Sequence, residues 1–455
     1  MRTKPIAAML SALLLIAGRS PAQDAPRVAA PEAGAQPPEM ILDDGSIRLT
    51  FGEPLVVLPR GLQPSLLCMR SGALLLQAQV PEKPFPSKRI AYFSAMCTQI
   101  SRDGGATWTI LPLTPGENGL NMEGGAIQTR DGSILALDTY VPPGAKPGEG
   151  IGQIYVSTDD WKTVDGPRDA LFDIPRAKFD GSSDDGGRPH AAMRAHRRIL
   201  ELPNGDLLTT LYGWLEGDAT PATYAPTMMK SRALLVRSSD KGRSWKLVST
   251  IAVDPSVGTE GFGEPVLCRT SKGPNPDRLI CLMRTGRNLY AATSEDLGAT
   301  WSPPREWIVA GLDVNRVELW ADHYRNLKDA RGKPIDENNL DELRGAAVDP
   351  DLIELRSGLL VATFGVRIPQ KACWRRPDHP WNGNYLAVSR DHGQTWSAVS
   401  RITSGVLTTH YTAIEETPTD DVIYLAYDLG GWSKGMRRDV VGRTVKLERR
   451  DGSRP

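Results

Sequence analysis

The chain has no net charge and few cysteines and histidines, and each of these shortages excludes a class of protein. Its 455 residues hold 54 Lys and Arg against 54 Asp and Glu, so the charge balance gives no reason to expect binding to nucleic acid or an anionic membrane surface. The chain has only five cysteines, which excludes a disulfide-rich scaffold. The cysteines form no CxxC pair and the six histidines form no cluster, so the sequence indicates neither a metal site nor a cofactor. We expect buried thiols, with bridges Cys68–Cys97 and Cys268–Cys281 as the alternative.

The chain also lacks an apolar run long enough to span a bilayer. The longest such run, residues 6–18, follows Arg2 and Lys4 and precedes the small-residue stretch Ser20-Pro21-Ala22. This pattern predicts a signal peptide over residues 1–22, with a retained anchor as the alternative, and hence a secreted or periplasmic protein. Residues 23–45 are rich in Pro and Ala and are predicted to be a disordered linker. The acidic stretch 180–187 is interpreted as a solvated loop, with calcium binding as the alternative.

Glycine and proline, in contrast, are abundant, with 44 and 36 copies, and the chain repeats itself. The octapeptide SRDGGATW from Ser101 recurs from Ser238, Ser294 and Ser389, and STDDWKT from Ser157 is a degenerate copy. Apolar runs separated by RSG, RDG or PNG turns precede each copy, which is typical of a strand–turn–strand unit. Six such units over residues 46–450 predict an all-β fold, a six-bladed β-propeller of four-stranded antiparallel blades.

Two further features complete the predicted architecture. The segment 46–59 precedes the first blade and is expected to supply a strand that closes the ring. The uneven spacing of the octapeptides predicts insertions at about 164–195 and 303–345, of which the second has room for a short helix.

The octapeptide itself is interpreted as a structural turn between the third and fourth strands. Its Asp can accept bonds from backbone N–H groups of its own turn, its Gly supplies a positive φ, and its Trp covers the gap beneath the sheet. A catalytic role would need one carboxylate placed once, not five copies distributed around a ring.

The consensus S-x-D-x-G-x-T-W resembles the Asp-box, or BNR repeat, and blades that carry it resemble the sialidase superfamily of secreted exo-glycosidases. The resemblance extends over roughly residues 55–447. It implies a sialidase-like propeller that removes terminal sugars from glycans.

The first strands of a propeller line its axis, so the residues at their starts are the candidate site. Polar and ionisable residues occupy these starts in all six predicted blades. They are Gln63, Glu123, His196, Arg197, Glu264, Asp349, Asp351, His410 and Tyr411.

The resemblance assigns roles to several of these residues. Sialidases use a Tyr nucleophile activated by a Glu, an acid/base Asp and three Arg that bind the substrate carboxylate. Tyr411 in HYTAI, Glu264 in GEPVL and Arg284 in LMRT stand at matching positions. Arg284, with Arg197, His196, His410 and Gln63, is expected to bind substrate, and Glu123, Asp349 or Asp351 to serve as acid/base.

The sequence departs from the family where the carboxylate-binding arginines should be. Leu62-Gln63-Pro64-Ser65 replaces the family's Arg-Ile-Pro-Ser, and only the upstream Arg375 and Arg376 are available for the last arginine. The loop that usually carries the catalytic Asp has Glu82 as its only carboxylate. We therefore expect an incomplete arginine triad and a sugar that is either sialic acid or, more in keeping with these residues, another sugar such as a uronate or deoxy sugar.

Three functions remain open from the sequence. The leading interpretation is a monomeric exo-glycoside hydrolase acting on glycans. A polysaccharide lyase would use His196, Arg197, His410 and Tyr411 on a uronate. A carbohydrate-binding propeller without turnover would explain the missing arginines.

Overall fold

A computed structural model describes most of the chain from residue 39 onward. The described residues are 39–42, 45–84, 94–112, 119–184, 189–223, 227–309, 312–317, 326–329, 332–373, 381–396, 400–403, 405–432 and 435–450. The predicted signal peptide, most of the linker, Arg375, Arg376 and part of the acidic stretch 180–187 lie outside them.

Short β-strands account for nearly all the regular structure, as the Gly- and Pro-rich sequence predicts. The first half contains β1 (Glu39–Ile41), β2 (Ile47–Phe51), β3 (Leu55–Pro59), β4 (Leu62–Cys68), β5 (Leu74–Pro84), β6 (Ser94–Ser101), β7 (Thr109–Ile110), β8 (Ala126–Gln128), β9 (Ile134–Leu137), β10 (Tyr140–Val141), β11 (Glu149–Ser157), β12 (Asp165–Asp173), β13 (Ser182–Asp184), β14 (Pro189–Ala191), β15 (Met193–Glu201) and β16 (Leu207–Gly213). The second half contains β17 (Arg232–Ser238), β18 (Ser244–Ala252), β19 (Gly263–Arg269), β20 (Leu279–Arg284), β21 (Leu289–Ser294), β22 (Arg305–Trp307), β23 (Ala346–Glu354), β24 (Leu360–Arg367), β25 (Gly383–Ser389), β26 (Ser400–Arg401), β27 (Thr412–Glu416), β28 (Val422–Gly430) and β29 (Arg438–Arg449). The named helical elements of the described residues are a 3-10 turn at Met122–Gly124 and α1 (Leu340–Leu343), which lies within the predicted second insertion.

Most strands belong to antiparallel units of four. Strands β4–β7, β19–β22 and β23–β26 form three separate four-stranded sheets. Strands β27–β29 are joined by the N-terminal strands, since β2 and β3 both pair with β29. This pairing agrees with the expectation that residues 46–59 complete the last sheet. Strand β1 pairs with β2, so the predicted disordered linker, which was extended to residue 45, includes an ordered strand.

Two further units share one sheet. Strands β8, β9, β11 and β12 and strands β15–β18 are joined by the parallel pairs β8–β15 and β12–β18. These two contacts close a ring of eight paired strands where the sequence predicts two separate blades. The all-β class is therefore confirmed, while six separate blades remain a prediction.

The hydrophobic core is divided among the interfaces between neighbouring units. Each of six clusters draws its residues from two consecutive units, and one of them joins β27–β29 to β4–β5. The last unit therefore packs on the first. Consecutive inner strands, from β15 through β19, β23 and β27 to β4, also contact one another, so that residues on neighbouring inner strands can contribute to a shared site.

The repeated octapeptide forms the same turn in all five copies. In the copy at Ser238, the Asp240 carboxylate accepts bonds from the Ser244 amide at 2.8 Å and the Ser244 hydroxyl at 2.6 Å. Trp245 is fully buried and stacks on Phe172 of the neighbouring unit. The equivalent carboxylates Asp103, Asp159, Asp296 and Asp391 accept the same bonds. These geometries fit the predicted structural role.

The five cysteines are thiols that form no disulfide with one another, and three of them are buried, so the alternative of disulfide bridges is not observed. Among the described residues, no helix has the length and hydropathy needed to cross a bilayer.

Candidate active site

The starts of the inner strands share a backbone irregularity that turns side chains toward one another. Gln63, Glu264, Asp349 and His410 all have a positive φ, between 41° and 69°. The pairing register shifts at the first three, as at a β-bulge. A bulge re-aims a side chain out of the normal alternation of a strand, and non-glycine residues keep a positive φ only where their surroundings impose it.

Tyr411, Glu264 and Arg284 form the centre of the site. The Tyr411 hydroxyl donates to Glu264 Oε1 at 2.6 Å, and Arg284 Nη1 donates to the same oxygen at 2.6 Å. Arg284 Nη1 also lies 3.4 Å from the Tyr411 hydroxyl. All three side chains are buried, with each residue 7% exposed. The structure therefore brings together the three residues that the sequence assigned to one group.

The electrostatic environment places the shared proton on Tyr411 in the resting site. Burial raises the pKa of the Tyr411 phenol well above its ordinary value, and the neighbouring Glu264 charge raises it further. Burial opposes ionisation of Glu264 too, but Arg284, His196 and the Tyr411 hydrogen bond outweigh it and lower the pKa of that carboxyl to about 2. Glu264 is thus an ionised acceptor positioned against a neutral phenol.

Glu260 is a fourth member of this centre that the sequence reasoning missed. Its Oε1 accepts from Arg284 Nε at 2.5 Å and its Oε2 from Nη2 at 3.4 Å. Arg284 therefore contacts two carboxylates. The only signal in the sequence was the position of Glu260, four residues before Glu264.

Asp349 connects this centre to Arg197. The Asp349 amide donates to Glu264 Oε2 at 3.0 Å, and its carboxylate accepts from the Thr412 amide at 2.9 Å. Arg197 forms an ion pair with the same carboxylate. Burial raises the pKa of Asp349 despite the opposing Arg197 charge, which favours its protonated form.

Asp351 lies in a second buried network. Arg198 donates to both of its oxygens at 2.8 and 2.7 Å, and the Ile414 amide donates to Oδ2 at 3.0 Å. Burial opposes ionisation of Asp351, but the charges of Arg198 and Arg197 outweigh this effect and hold the pKa of the carboxyl below its usual range. Arg198 also pairs with Glu415, and sequence reasoning singled out neither of these two residues.

Glu123 and His196 lie on the other side of Asp349. His196 Nε2 is 3.9 Å from Glu123 Oε1 and 3.9 Å from Asp349 Oδ1. His196 is fully buried, and burial together with the Arg197 charge lowers its pKa to about 3, so its ring is neutral at neutral pH. The Glu123 side chain, on the 3-10 turn, remains 13% exposed.

The remaining two predicted site residues have different surroundings. Gln63 accepts from Gln79 at 2.6 Å through its side chain and donates through its amide to Asp428 at 2.9 Å. His410 is buried, and burial with the charge of Arg367 lowers its pKa well below the ordinary value.

Arg367 is an additional cation at the site. Its guanidinium carbon lies 5.9 Å from the centre of the Tyr411 ring, and Nη2 donates to the Thr409 carbonyl at 2.7 Å. Arg367 is the last residue of β24, and Arg284 is the last residue of β20, the equivalent strand of the preceding unit. This equivalent position was a signal in the sequence that could have identified Arg367.

Carboxylates exceed guanidinium groups in the described part of the site. Four arginines, Arg197, Arg198, Arg284 and Arg367, face six carboxylates, Glu123, Glu260, Glu264, Asp349, Asp351 and Glu415. The difference, six minus four, is two negative charges when all six carboxylates are ionised. Arg284 and Arg197 both already have carboxylate partners.

No protein-family model and no curated protein matches this sequence. Solved structures do resemble it. They include a protein of unknown function from Dyadobacter fermentans, with 16% identity and a TM-score of 0.53, covering 88% of this chain and 99% of that one. The NanB sialidase from Streptococcus pneumoniae has 11% identity and a TM-score of 0.51, covering 86% of this chain and 69% of that one. An α-L-arabinanase from Penicillium chrysogenum has 12% identity and a TM-score of 0.50, covering 86% and 98%. At these identities the likeness establishes the fold alone, and this chain has a sialidase-like, glycoside-hydrolase-like fold.

Proposed function

We propose that the protein is an exo-glycoside hydrolase in which Tyr411 attacks the anomeric carbon and Glu264 takes the phenolic proton. The observation that carries this proposal is the 2.6 Å hydrogen bond from the Tyr411 hydroxyl to a buried, ionised Glu264. A phenol is a weak nucleophile until a base accepts its proton, and the contact supplies that base.

We also propose that the chain forms six blades around this site. The six core clusters, each shared by two consecutive units and one linking the last to the first, support this arrangement. The β8–β15 and β12–β18 pairs then join two neighbouring blades at their inner and outer edges.

The chemical step follows from the geometry. As the Tyr411 oxygen bonds to the anomeric carbon, the glycosidic C–O bond breaks and the phenolic proton moves to Glu264. Arg284 lies within 3.4 Å of the Tyr411 oxygen and stabilises negative charge that develops there. Water then releases the sugar from Tyr411 in a second displacement.

The leaving oxygen needs a proton from a nearby carboxyl group. Asp349, whose pKa is raised by burial, and Glu123, which is partly exposed, are the candidates on the described part of the chain. Asp351 is a weaker candidate, because the charges of Arg198 and Arg197 hold its pKa below the usual range and favour its ionised form. Glu82 stays a prediction, because its side chain lies outside the described residues.

We propose that the substrate is a neutral terminal sugar, in place of the sialic acid or uronate expected from the sequence, and that the protein is a secreted or periplasmic monomer. An incoming sugar carboxylate would compete with Glu260 and Glu264 for Arg284, and with Asp349 for Arg197. The fold neighbour from Penicillium chrysogenum, described as an arabinanase in complex with arabinobiose, is consistent with a neutral sugar.

A panel of aryl glycosides tests this function. Neutral glycosides should release the aryl alcohol, while sialosides and uronides should react much more slowly. Acidic polysaccharides followed in the near ultraviolet test the lyase alternative, because only a lyase forms an absorbing unsaturated product. Binding to glycans without any turnover would indicate the binding propeller instead.

A further inference from the structure

Three potential metal ligands from different parts of the chain meet beside the Tyr411–Glu264 pair. Glu123 on the 3-10 turn, His196 on β15 and Asp349 on β23 each offer one ligand atom, and these atoms lie within 4.8 Å of one another. The His196 Nε2 atom is 3.9 Å from both carboxylate oxygens. Two atoms bound to one ion at about 2.1 Å lie at most about 4.2 Å apart, and each of these two separations is below that limit, although a small inward movement of the side chains would be needed to bind one ion with all three.

The hydrogen bonding of His196 leaves a buried lone pair facing these oxygens. Its Nδ1 lies 3.2 Å from the Pro265 carbonyl, which can only accept, so the ring proton belongs on Nδ1. The Nε2 atom is buried and has no hydrogen-bond partner among the residues that the structure describes. Histidines that bind metals typically donate their other ring N–H to a carbonyl or carboxylate in this way.

A proton between these groups does not account for the arrangement. Separations of 3.9 Å exceed hydrogen-bond length, so a protonated Nε2 would not bridge to either carboxylate. Asp349 Oδ1 also pairs with Arg197, but within the described part of the chain the Nε2 lone pair of His196 faces only these two carboxylate oxygens. A divalent ion would supply the partner that Nε2 lacks among the described residues.

We propose that Glu123, His196 and Asp349 bind a divalent first-row metal ion, such as Mn²⁺ or Zn²⁺. One imidazole nitrogen with two carboxylate oxygens suits these ions better than Mg²⁺ or Ca²⁺, which favour oxygen alone. Three protein ligands leave a coordination position open for water or a sugar hydroxyl. A carboxyl group that binds the ion must be deprotonated. Metal binding would therefore compete with proton donation by Glu123 and Asp349.

The test measures metal binding without any substrate, so it is independent of the proposed hydrolysis. The full-length protein is stripped with a chelator and titrated with Mn²⁺, and binding is followed by calorimetry and electron paramagnetic resonance. One Mn²⁺ ion should bind per chain, and pulsed resonance should detect nitrogen coupling from a single imidazole. Glu123→Gln should weaken binding about tenfold or more, and His196→Gln should remove the nitrogen coupling.

Asp180→Asn, in the acidic stretch 180–187, is the matched control and should leave binding and coupling unchanged. Circular dichroism confirms that each variant is folded. If His196→Gln does not fold, the wild-type nitrogen coupling decides the question. Absence of Mn²⁺ and Zn²⁺ binding at millimolar concentrations overturns the proposal. Binding without nitrogen coupling, or unchanged binding by Glu123→Gln, overturns it as well.

Discussion

Replacing Glu264 with Gln should separate proton acceptance from the other contacts of this residue. Glu264 accepts three bonds, from the Tyr411 hydroxyl at 2.6 Å, from Arg284 Nη1 at 2.6 Å and from the Asp349 amide at 3.0 Å. A Gln side chain has nearly the same shape and retains an oxygen acceptor, but it is neutral and cannot take the phenolic proton.

The expected loss follows from the role of a general base, which contributes about 10²–10⁴-fold to a rate. We expect kcat for an activated aryl glycoside to fall within that range, with a smaller change in KM. Since the Glu264 charge raises the pKa of Tyr411, the apparent pKa of this phenol should also fall in the variant. An ultraviolet difference titration against Tyr411→Phe would measure that shift.

Glu260→Gln is the matched control, because Glu260 contacts the same guanidinium but is not hydrogen-bonded to Tyr411. It should retain most of kcat. Equal losses in the two variants would assign the effect to the position of Arg284 and refute proton acceptance by Glu264. Wild-type kcat in Glu264→Gln would remove this residue from the mechanism.

Three further predictions concern the nucleophile, a buried carboxyl group and a turn. Tyr411→Phe should lower kcat by about 10³-fold or more with an unchanged melting temperature, and full activity in that variant would contradict the mechanism. Burial raises the pKa of Glu415 from 4.5 to about 7, so the folded state holds a proton that the unfolded chain releases first, and the contribution of Glu415 to stability should decrease between about pH 4.5 and 7. Because the lowered pKa values of His196 and His410 act in the opposite direction, the test is the difference between two proteins: the stability of the wild type relative to Glu415→Gln should decrease across this range in denaturant titrations, and a constant difference would refute the assignment. Asp240→Ala removes the carboxylate that accepts hydrogen bonds from Ser238 and Ser244. It should reduce the free energy of unfolding by about 1–3 kcal/mol without changing kcat. Loss of kcat at an unchanged stability would indicate a catalytic role for the turn.

Much of the architecture was predictable from local sequence patterns. Strand periodicity and turn residues depend on neighbours along the chain, so the strand–turn–strand units, the octapeptide turns and the closing segment 46–59 were recognisable. The parallel pairs β8–β15 and β12–β18 were not, because they join strands that are distant in sequence and have no turn between them. The ordered strand β1 was missed for a related reason, since its order comes from pairing with β2 rather than from its composition.

The candidate site, like the fold, was only partly predictable from local sequence patterns. Counting back from the octapeptides to the starts of the inner strands singled out Glu264, His410 and Tyr411, because strand–turn–strand units precede the octapeptides along the chain. Partners that approach from other positions, such as Glu260, Arg367 and Glu415, gave little or no signal in the sequence.

The sequence by itself therefore determined the all-β class, the repeated turn and the positions of the residues that open the inner strands. Only the tertiary structure determined the hydrogen-bond partners and charge states of these residues. It placed Glu264 against the Tyr411 hydroxyl, gave Arg284 and Arg197 carboxylate partners, and brought Nε2 of His196 to 3.9 Å from both Glu123 and Asp349. The physical reason is that the charge state and hydrogen bonding of a buried group depend on neighbours that folding brings close. These neighbours are often distant along the chain, so the local sequence does not predict the contact.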